Sequence, residues 1–288
     1  MSIKEKSLLI NNFLMNYIFP PKIYNIALCF LDFLLHKVIK YSMNHNYVKK
    51  INKKNPKKEV FILANGPSLS QLNLQGLVDK DVITMNCFHR HEDSLSIKSI
   101  YHVVAEPGKN IKEVNYIDVF NPATKRHLFH LNSKSAIEKK FRNSIGSNVH
   151  YFTPAVSTID QYCGDKFDFS GSIPRPRNSA QLAIMLAMYL DYKKIYLLGV
   201  DEDQMSNSVQ FNTHFYKESK EEIERGTSTL SYLNRLIGKS KTFMGFSVIN
   251  KVAKGMGVEI INLNRLSILD EFDFADSKNI FSERNDEG

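Results

Sequence analysis

The sequence predicts an α/β chain with a Rossmann-like, doubly wound and mostly parallel sheet, preceded by a helical extension. Three observations carry this. Short continuous apolar runs each end in a polar residue followed by a turn, the pattern of strands buried on both faces. Segments rich in Ala, Leu and Met, good helix formers, stand among these runs. The alternation of the two kinds of segment implies parallel strands joined by helical crossovers.

Residues 1–50 read as the helical extension. Leu8, Leu9, Ile10, Phe13, Leu14 and Phe19 form one apolar stretch, and Ile23, Ile26, Phe30, Phe33 and Leu34 belong to a second. Pro20-Pro21 divides them, because a proline pair breaks a continuous helix. Each half is shorter than the roughly 20 apolar residues that span a bilayer, and Asp32, His36 and Lys37 interrupt the second. No small-residue cleavage site marks a signal peptide. Lys22 to Tyr41 has helical apolar spacing. Three uses are open to this helix: peripheral contact with a membrane, packing on the domain, or contact with a second subunit. Lys22, Lys37, Lys40 and the run Lys49, Lys50, Lys53, Lys54, Lys57 and Lys58 suit anionic headgroups. The run is equally readable as a solvated linker.

Residues 51–288 form the second unit, the α/β domain. Glu59–Ala64 is its first strand and ends in Asn65-Gly66-Pro67-Ser68-Leu69. Val82–Met85 ends in Asn86, and Ile100–Ala105 ends in Glu106-Pro107. Ser179–Leu190 is a helix leading into a strand, Ile195–Val200, that ends in Asp201. Ser247–Gly257 is a further helix, followed by a strand over Val258–Leu263. Ligands of open α/β sheets gather at the carboxyl ends of strands, where these polar residues fall.

With 288 residues the chain can bury one sizeable core, and no internal repeat divides it. Its three cysteines include no Cys-x-x-Cys pair, which suits a reducing compartment and argues against a structural zinc site. A net charge of +8 points to an anionic partner. No helix-turn-helix, RNP or zinc pattern accompanies that charge, so nucleic acid is set aside.

The turn at Asn65 is the most informative local feature. Gly66 allows a positive φ or a close backbone approach, and Pro67 fixes the chain. Ser68 is placed to cap a following helix whose N–H groups would face a phosphate, with the Asn65 amide on the phosphate or ribose. A plain strand–turn–helix corner uses the same residues. The motif is neither a dinucleotide fingerprint nor a Walker loop. Arg175 and Arg177 stand where a phosphate or carboxylate would be clamped, or on a solvated loop. His214, followed by Tyr216, is a candidate general base or phosphate contact. Asp201-Glu202-Asp203 would either hold a divalent metal or cap the sheet end. His89, Arg90 and His91 read as surface.

Together these landmarks resemble the bacterial sialyltransferases of glycosyltransferase family 42 and related proteins of capsule and lipopolysaccharide clusters. The likeness runs from about Lys58 to Phe272, through Asn65–Leu69, Met85–Phe88, the Ser179 helix, Tyr192–Asp201 and Ile237–Lys241. It implies a GT-A-variant fold and a CMP-activated nonulosonic acid donor such as sialic acid, used without metal or cofactor. It also implies a glycan or lipid-linked acceptor, reached in the cytoplasm at the inner face of the plasma membrane. Asn65 and Asn86 match asparagines that hold CMP, and Ser179 matches a serine near the donor sugar. Glu106 stands where the family has an asparagine, and Lys239 where it has the catalytic histidine. Two tyrosines that contact the departing phosphate are replaced near Asp203 and Val209. His214 and Tyr216 are then expected to supply the missing functions, Arg175 or Arg177 to meet the donor's anionic groups, and the reaction to be direct displacement. Two other readings stand beside this one: a Mg²⁺-dependent pterin diphosphokinase-like enzyme using Asp201 and Asp203, and a non-catalytic nucleotide-binding scaffold. A homo-oligomer is compatible with each.

Overall fold

The computed structural model describes residues 21–42, 59–108, 124–140, 148–202 and 232–277. Among them nine parallel strands form one sheet. The strands are β1 (Glu59–Leu63), β2 (Val82–Met85), β3 (Ser99–Val104), β4 (His127–His130), β5 (Val149–Thr158), β6 (Ser172–Arg175), β7 (Lys194–Leu198), β8 (Glu259–Asn262) and β9 (Asp273–Phe274). Their order is β6-β5-β4-β3-β2-β1-β7-β8-β9. The chain winds outward from β1 to β6, returns to the middle and continues from β7 to β9. The doubly wound α/β class is therefore observed, and its switch point lies between β1 and β7.

The strands alternate their side chains between two cores, as a period of two requires. Val60, Ile62, Ile195 and Leu197 enter one cluster, while Phe61, Leu63, Tyr196 and Leu198 enter the other. The first is covered by helix α3 (Ser179–Tyr189) and helix α4 (Tyr232–Gly255). α3 makes the return crossover and packs on β1, β2 and β3; its first ten residues are all buried, so it is apolar around nearly its whole circumference. The second core is closed by short 3-10 turns at Pro67–Gln71, Leu74–Leu77 and Phe88–Arg90. The helix expected after β1 is thus absent. Gly66, Pro67, Ser68, Ser70, Asn73 and Gly76 leave that stretch too poor in helix formers. Helix α2 (Lys134–Lys140) is a short element beside β4.

α4 begins fifteen residues before the expected start at Ser247. The strands β4, β5 and β6 carry no simple apolar run. β3 to β5 contain His102, His127, His130 and His150, of which the last three are buried. Loss of solvent around the ring pushes the partly buried His102 down to about 3, and burial pushes His127 and His130 down to about 4. Repulsion between neighbouring imidazoles adds to the effect at His102 and His127, and the Arg175 charge does so at His130. β6 includes Pro174 and lies at the sheet edge, where a missing N–H is tolerated.

Helix α1 (Pro21–Ser42) docks on β5 and β6. The Asp32 carboxylate accepts the Val156 N–H at 2.8 Å and the Ser157 N–H at 3.3 Å. These two groups lie in a register shift of the β5–β6 ladder, so Asp32 satisfies amides that the bulge leaves out of the ladder. His36 Nδ1 meets the Ser172 carbonyl at 3.0 Å, and Nε2 lies 3.3 Å from Asp168. Lys40 reaches the same carboxylate at 3.1 Å. The hydrogen bond that His36 donates to Asp168 raises the His36 pKa and holds Asp168 well below the usual carboxylate range. Cys29 is bonded to Cys163 across a Cα separation of 6.3 Å. That bond departs from the reducing compartment that the cysteine pattern suits, and 134 residues of separation hide it from spacing rules. No helix among the described residues is long and apolar enough to cross a membrane.

Candidate functional site

A cavity of about 370 Å³ opens at the carboxyl ends of β1, β2 and β7, beside the switch point where doubly wound sheets bind ligands. Three chain segments reach it directly from strands: Ala64-Asn65-Gly66, Met85-Asn86 and Gly199 to Glu202. The turn into α3 contributes Arg177, Asn178 and Ser179, and α4 contributes Arg235, Lys239 and Thr242.

Asn65 is 6% exposed, and neither its amide nitrogen nor its amide oxygen has a hydrogen-bond partner among the described residues. A buried amide without partners costs about 1–3 kcal/mol. The turn after it is held by Asp201, which accepts from the Ser68 N–H at 2.9 Å and also from the Ser68 hydroxyl. Asn264 donates to the same carboxylate at 2.8 Å. Gly66 has φ −65°, so it is present for close approach and not for a left-handed turn. A Cβ there would collide with the Asp201 carboxylate and stand 2.5 Å from the Gly199 carbonyl oxygen. Ser68 consequently caps no helix, and Pro67 opens a 3-10 turn. Asp201 is a brace for the Asn65 turn.

Ser179, the first residue of α3, donates to the Asn86 side chain at 2.8 Å and accepts from the Ala105 N–H at 3.0 Å. Its hydroxyl links the ends of β2 and β3 and orients Asn86. Asn86 has φ 47° and Glu202 φ 55°, conformations that favour glycine and store strain at functional sites. Both line the cavity. Asn178 caps α3 by accepting the Gln181 N–H at 2.9 Å, and its amide donates to Glu202 at 2.8 Å. Lys239 is ion-paired with the other oxygen of Glu202.

The two arginines of the segment before α3 part company. Arg177 lines the cavity, with its guanidinium on Asp160 at 2.8 Å and on Thr158 at 3.2 Å. Arg175 is exposed, bonds the Val156 carbonyl at 2.8 Å and does not line the cavity. Arg175 therefore takes no part in the expected clamp: it ends β6 with its guanidinium on the Val156 carbonyl, whereas Arg177 lies beyond the strand in the turn into α3. Glu106 is exposed beyond β3 and is likewise outside the lining. His214, Tyr216 and Asp203 lie outside the described residues. His91, read as surface, is buried; its ring accepts the Asp93 N–H at 3.2 Å and stacks on Phe88.

Arg235 and Thr242 are polar lining residues that sequence reasoning missed. Arg235, Lys239 and Thr242 follow one another at four and three residues on α4, which places them on one helix face. That face is fixed from below. Gln181 donates to the Thr242 carbonyl at 2.9 Å and accepts the Arg177 N–H at 2.8 Å, and a Cβ at Gly245 would stand 2.6 Å from Gln181 and Ile159. The site thus joins an unpaired amide on one wall to two cationic side chains on the other.

A second cavity, of about 440 Å³, lies along the α1 seam. It is larger, but Asp32, His36 and Asp168 in its lining are already engaged in holding the helix. Among the described residues no group of three or more His, Cys, Asp or Glu is arranged to hold a metal.

No family model matches the sequence, and no curated protein sequence matches it. Solved structures of sialyltransferases do align. CstII from Campylobacter jejuni in complex with the substrate analogue cytidine-5'-monophosphate shares 17% identity, over 77% of this chain and 86% of that one, with a TM-score of 0.42. CST-II in complex with trisaccharide acceptor and CMP gives 17%, 75%, 85% and 0.41. The monofunctional alpha-2,3-sialyltransferase Cst-I from Campylobacter jejuni gives 17%, 78%, 82% and 0.44. At that low identity, these sialyltransferases are what the chain is similar to.

Proposed function

We propose that the chain is a glycosyltransferase that moves a sugar, a nonulosonic acid such as sialic acid, from a CMP-activated donor to a glycan acceptor. The setting would be assembly of a bacterial surface polysaccharide, capsule or lipopolysaccharide, at the inner face of the plasma membrane. One observation carries the reading: the buried Asn65 amide, without partners among the described residues, lines a cavity that also receives Arg235 and Lys239. An amide offers two donors and an acceptor, the complement of a base edge or a ribose hydroxyl. Arg235 and Lys239 would take the donor's anionic groups and the charge that grows on the departing phosphate. In its pair with Glu202, Lys239 is an ammonium with no lone pair, so it donates and does not accept the acceptor's proton. His214 is the proposed base and Tyr216 a second phosphate donor. The reaction would be direct displacement at the anomeric carbon, with no metal or cofactor.

Calorimetry against CMP, CDP, UDP, GDP and ATP, each with and without Mg²⁺, tests the donor class. CMP should bind without metal, and Asn65→Ala should weaken it by about 10- to 100-fold. Binding of ATP only with Mg²⁺ would overturn the reading in favour of a diphosphokinase-like enzyme. CMP binding without turnover of any CMP-sugar would leave a scaffold. His214→Ala should abolish transfer while keeping CMP affinity; near-normal turnover would remove His214 from the mechanism.

A further inference from the structure

Helix α1 is docked by its polar side. Cys29, Asp32, His36 and Lys40 recur at three and four residues and meet β5, β6 and the segment before it, so they form one inward stripe. The opposite side is apolar and open. Ile26 is 68% exposed, Phe30 60%, Val38 61% and Tyr41 84%, and Ile23, Leu31 and Leu34 are also exposed. The stripe runs the length of a 22-residue helix, about 33 Å. A monomer in water rarely leaves so continuous an apolar face uncovered. The helix cannot roll it inward, because the buried-side hydrogen bonds and the Cys29–Cys163 link hold the other side against the sheet.

We propose that this face is a docking surface for an anionic lipid bilayer, with α1 lying in the plane of the headgroups. Charge selects this occupant over a second copy of the chain. The single acid of α1, Asp32, is turned inward onto β5, so the outward stripe carries no carboxylate. Lys37 is exposed at the edge of that stripe, over the Phe33 ring at 4.3 Å. The chain as a whole is +8, and its sequence after α1 continues with Lys49, Lys50, Lys53, Lys54, Lys57 and Lys58. Two such basic surfaces repel each other, whereas an anionic surface attracts each lysine near it. An apolar stripe, a flanking basic supply and a terminal tyrosine at interface level are the features of a helix that lies on a membrane without crossing it. This inference stands independently of the proposed sugar transfer.

The test is co-sedimentation of the full chain with vesicles of phosphatidylcholine alone and of phosphatidylcholine with phosphatidylglycerol in equal parts, over a salt series. The parent should bind the mixed vesicles, release as salt rises, and bind the neutral ones far less. The double variant Phe30→Asp, Leu34→Asp should lose at least about thirtyfold in binding with an unchanged melting temperature, since both side chains are exposed. No sedimentation of the parent with mixed vesicles overturns the proposal, as does equal binding of parent and double variant or equal binding to both vesicle types. Light scattering that shows a parental dimer broken by the double variant assigns the face to a second copy. If removal of residues 1–20 abolishes binding that the double variant retains, the face is likewise excluded as the contact.

Discussion

Helices α1 and α3 both pack on this sheet, and they do so in opposite senses. α3 is buried along ten consecutive residues, with Leu182, Ile184 and Leu186 fully inaccessible. α1 turns Asp32, His36 and Lys40 to the sheet and leaves Phe30, Leu34 and Val38 outside. The first is held by the hydrophobic effect acting over its whole circumference. The second is held by a few polar contacts and a covalent link. An apolar stripe on a helix therefore does not say which way the helix faces; unsatisfied groups on the surface it meets do.

The largest difference between the two regions should appear in acid. Four histidines lie on β3 to β5, and three of them have pKa values pushed down to about 3 or 4. Their folded pKa values lie below the unfolded one, so the unfolded chain binds more protons as pH falls. The stability they allow is complete above about pH 6.5 and is lost as pH drops from there towards 3, by several kcal/mol. Urea unfolding across that range should show it. The seam should survive longer, because Asp168, depressed by His36, releases its share only below its ordinary value of 3.8.

Truncation comes next in size. Leu186→Ala in α3 should cost about 2–5 kcal/mol, while Leu34→Ala in α1 should change stability by no more than about 0.5 kcal/mol. Equal losses in chemical denaturation would mean that α1 buries its apolar side after all. Asp32→Ala should cost about 1–2 kcal/mol through the Val156 and Ser157 amides it abandons, with faster hydrogen exchange confined to α1 and the β5 bulge. Smallest is the alkaline limb. His36 is raised, so its contribution is complete below about pH 6.5 and disappears as pH rises through the raised value. A partly exposed pair of this kind is worth at most about 1 kcal/mol. Protection of α1, but not of α3, should fall there.

The candidate site was legible unevenly. Asn65 and Asn86 stood out because each closes an apolar run, and runs of that kind end at the ligand-bearing edge of a parallel sheet. Ser179 was found through its place at a helix start, although its hydroxyl proves to orient Asn86. Arg235 gave no such signal. The first half of α4 has Tyr232, Leu233, Leu236 and Ile237 at helical spacing, but they are exposed and their period does not say which polar residue faces the cavity, while Gly238 weakens the helical pattern. β4 to β6 were hidden for a related reason: histidines, threonines and prolines interrupt their runs, and only neighbouring strands supply the pairing that makes them strands.

By itself, the sequence determined the class of the fold, its central strands, the crossover helix α3 and the position of the Asn65 turn, because these depend on local apolar runs and on glycine and proline. Tertiary structure alone decided four further things. It set the order that places β7 beside β1, and it gave Asp201 the work of bracing a turn 133 residues away. It brought Arg235 and Lys239 to face Asn65, and it left the apolar side of α1 outward. Each of these depends on which distant group meets which unsatisfied donor or acceptor, and periodicity along one segment carries no record of that.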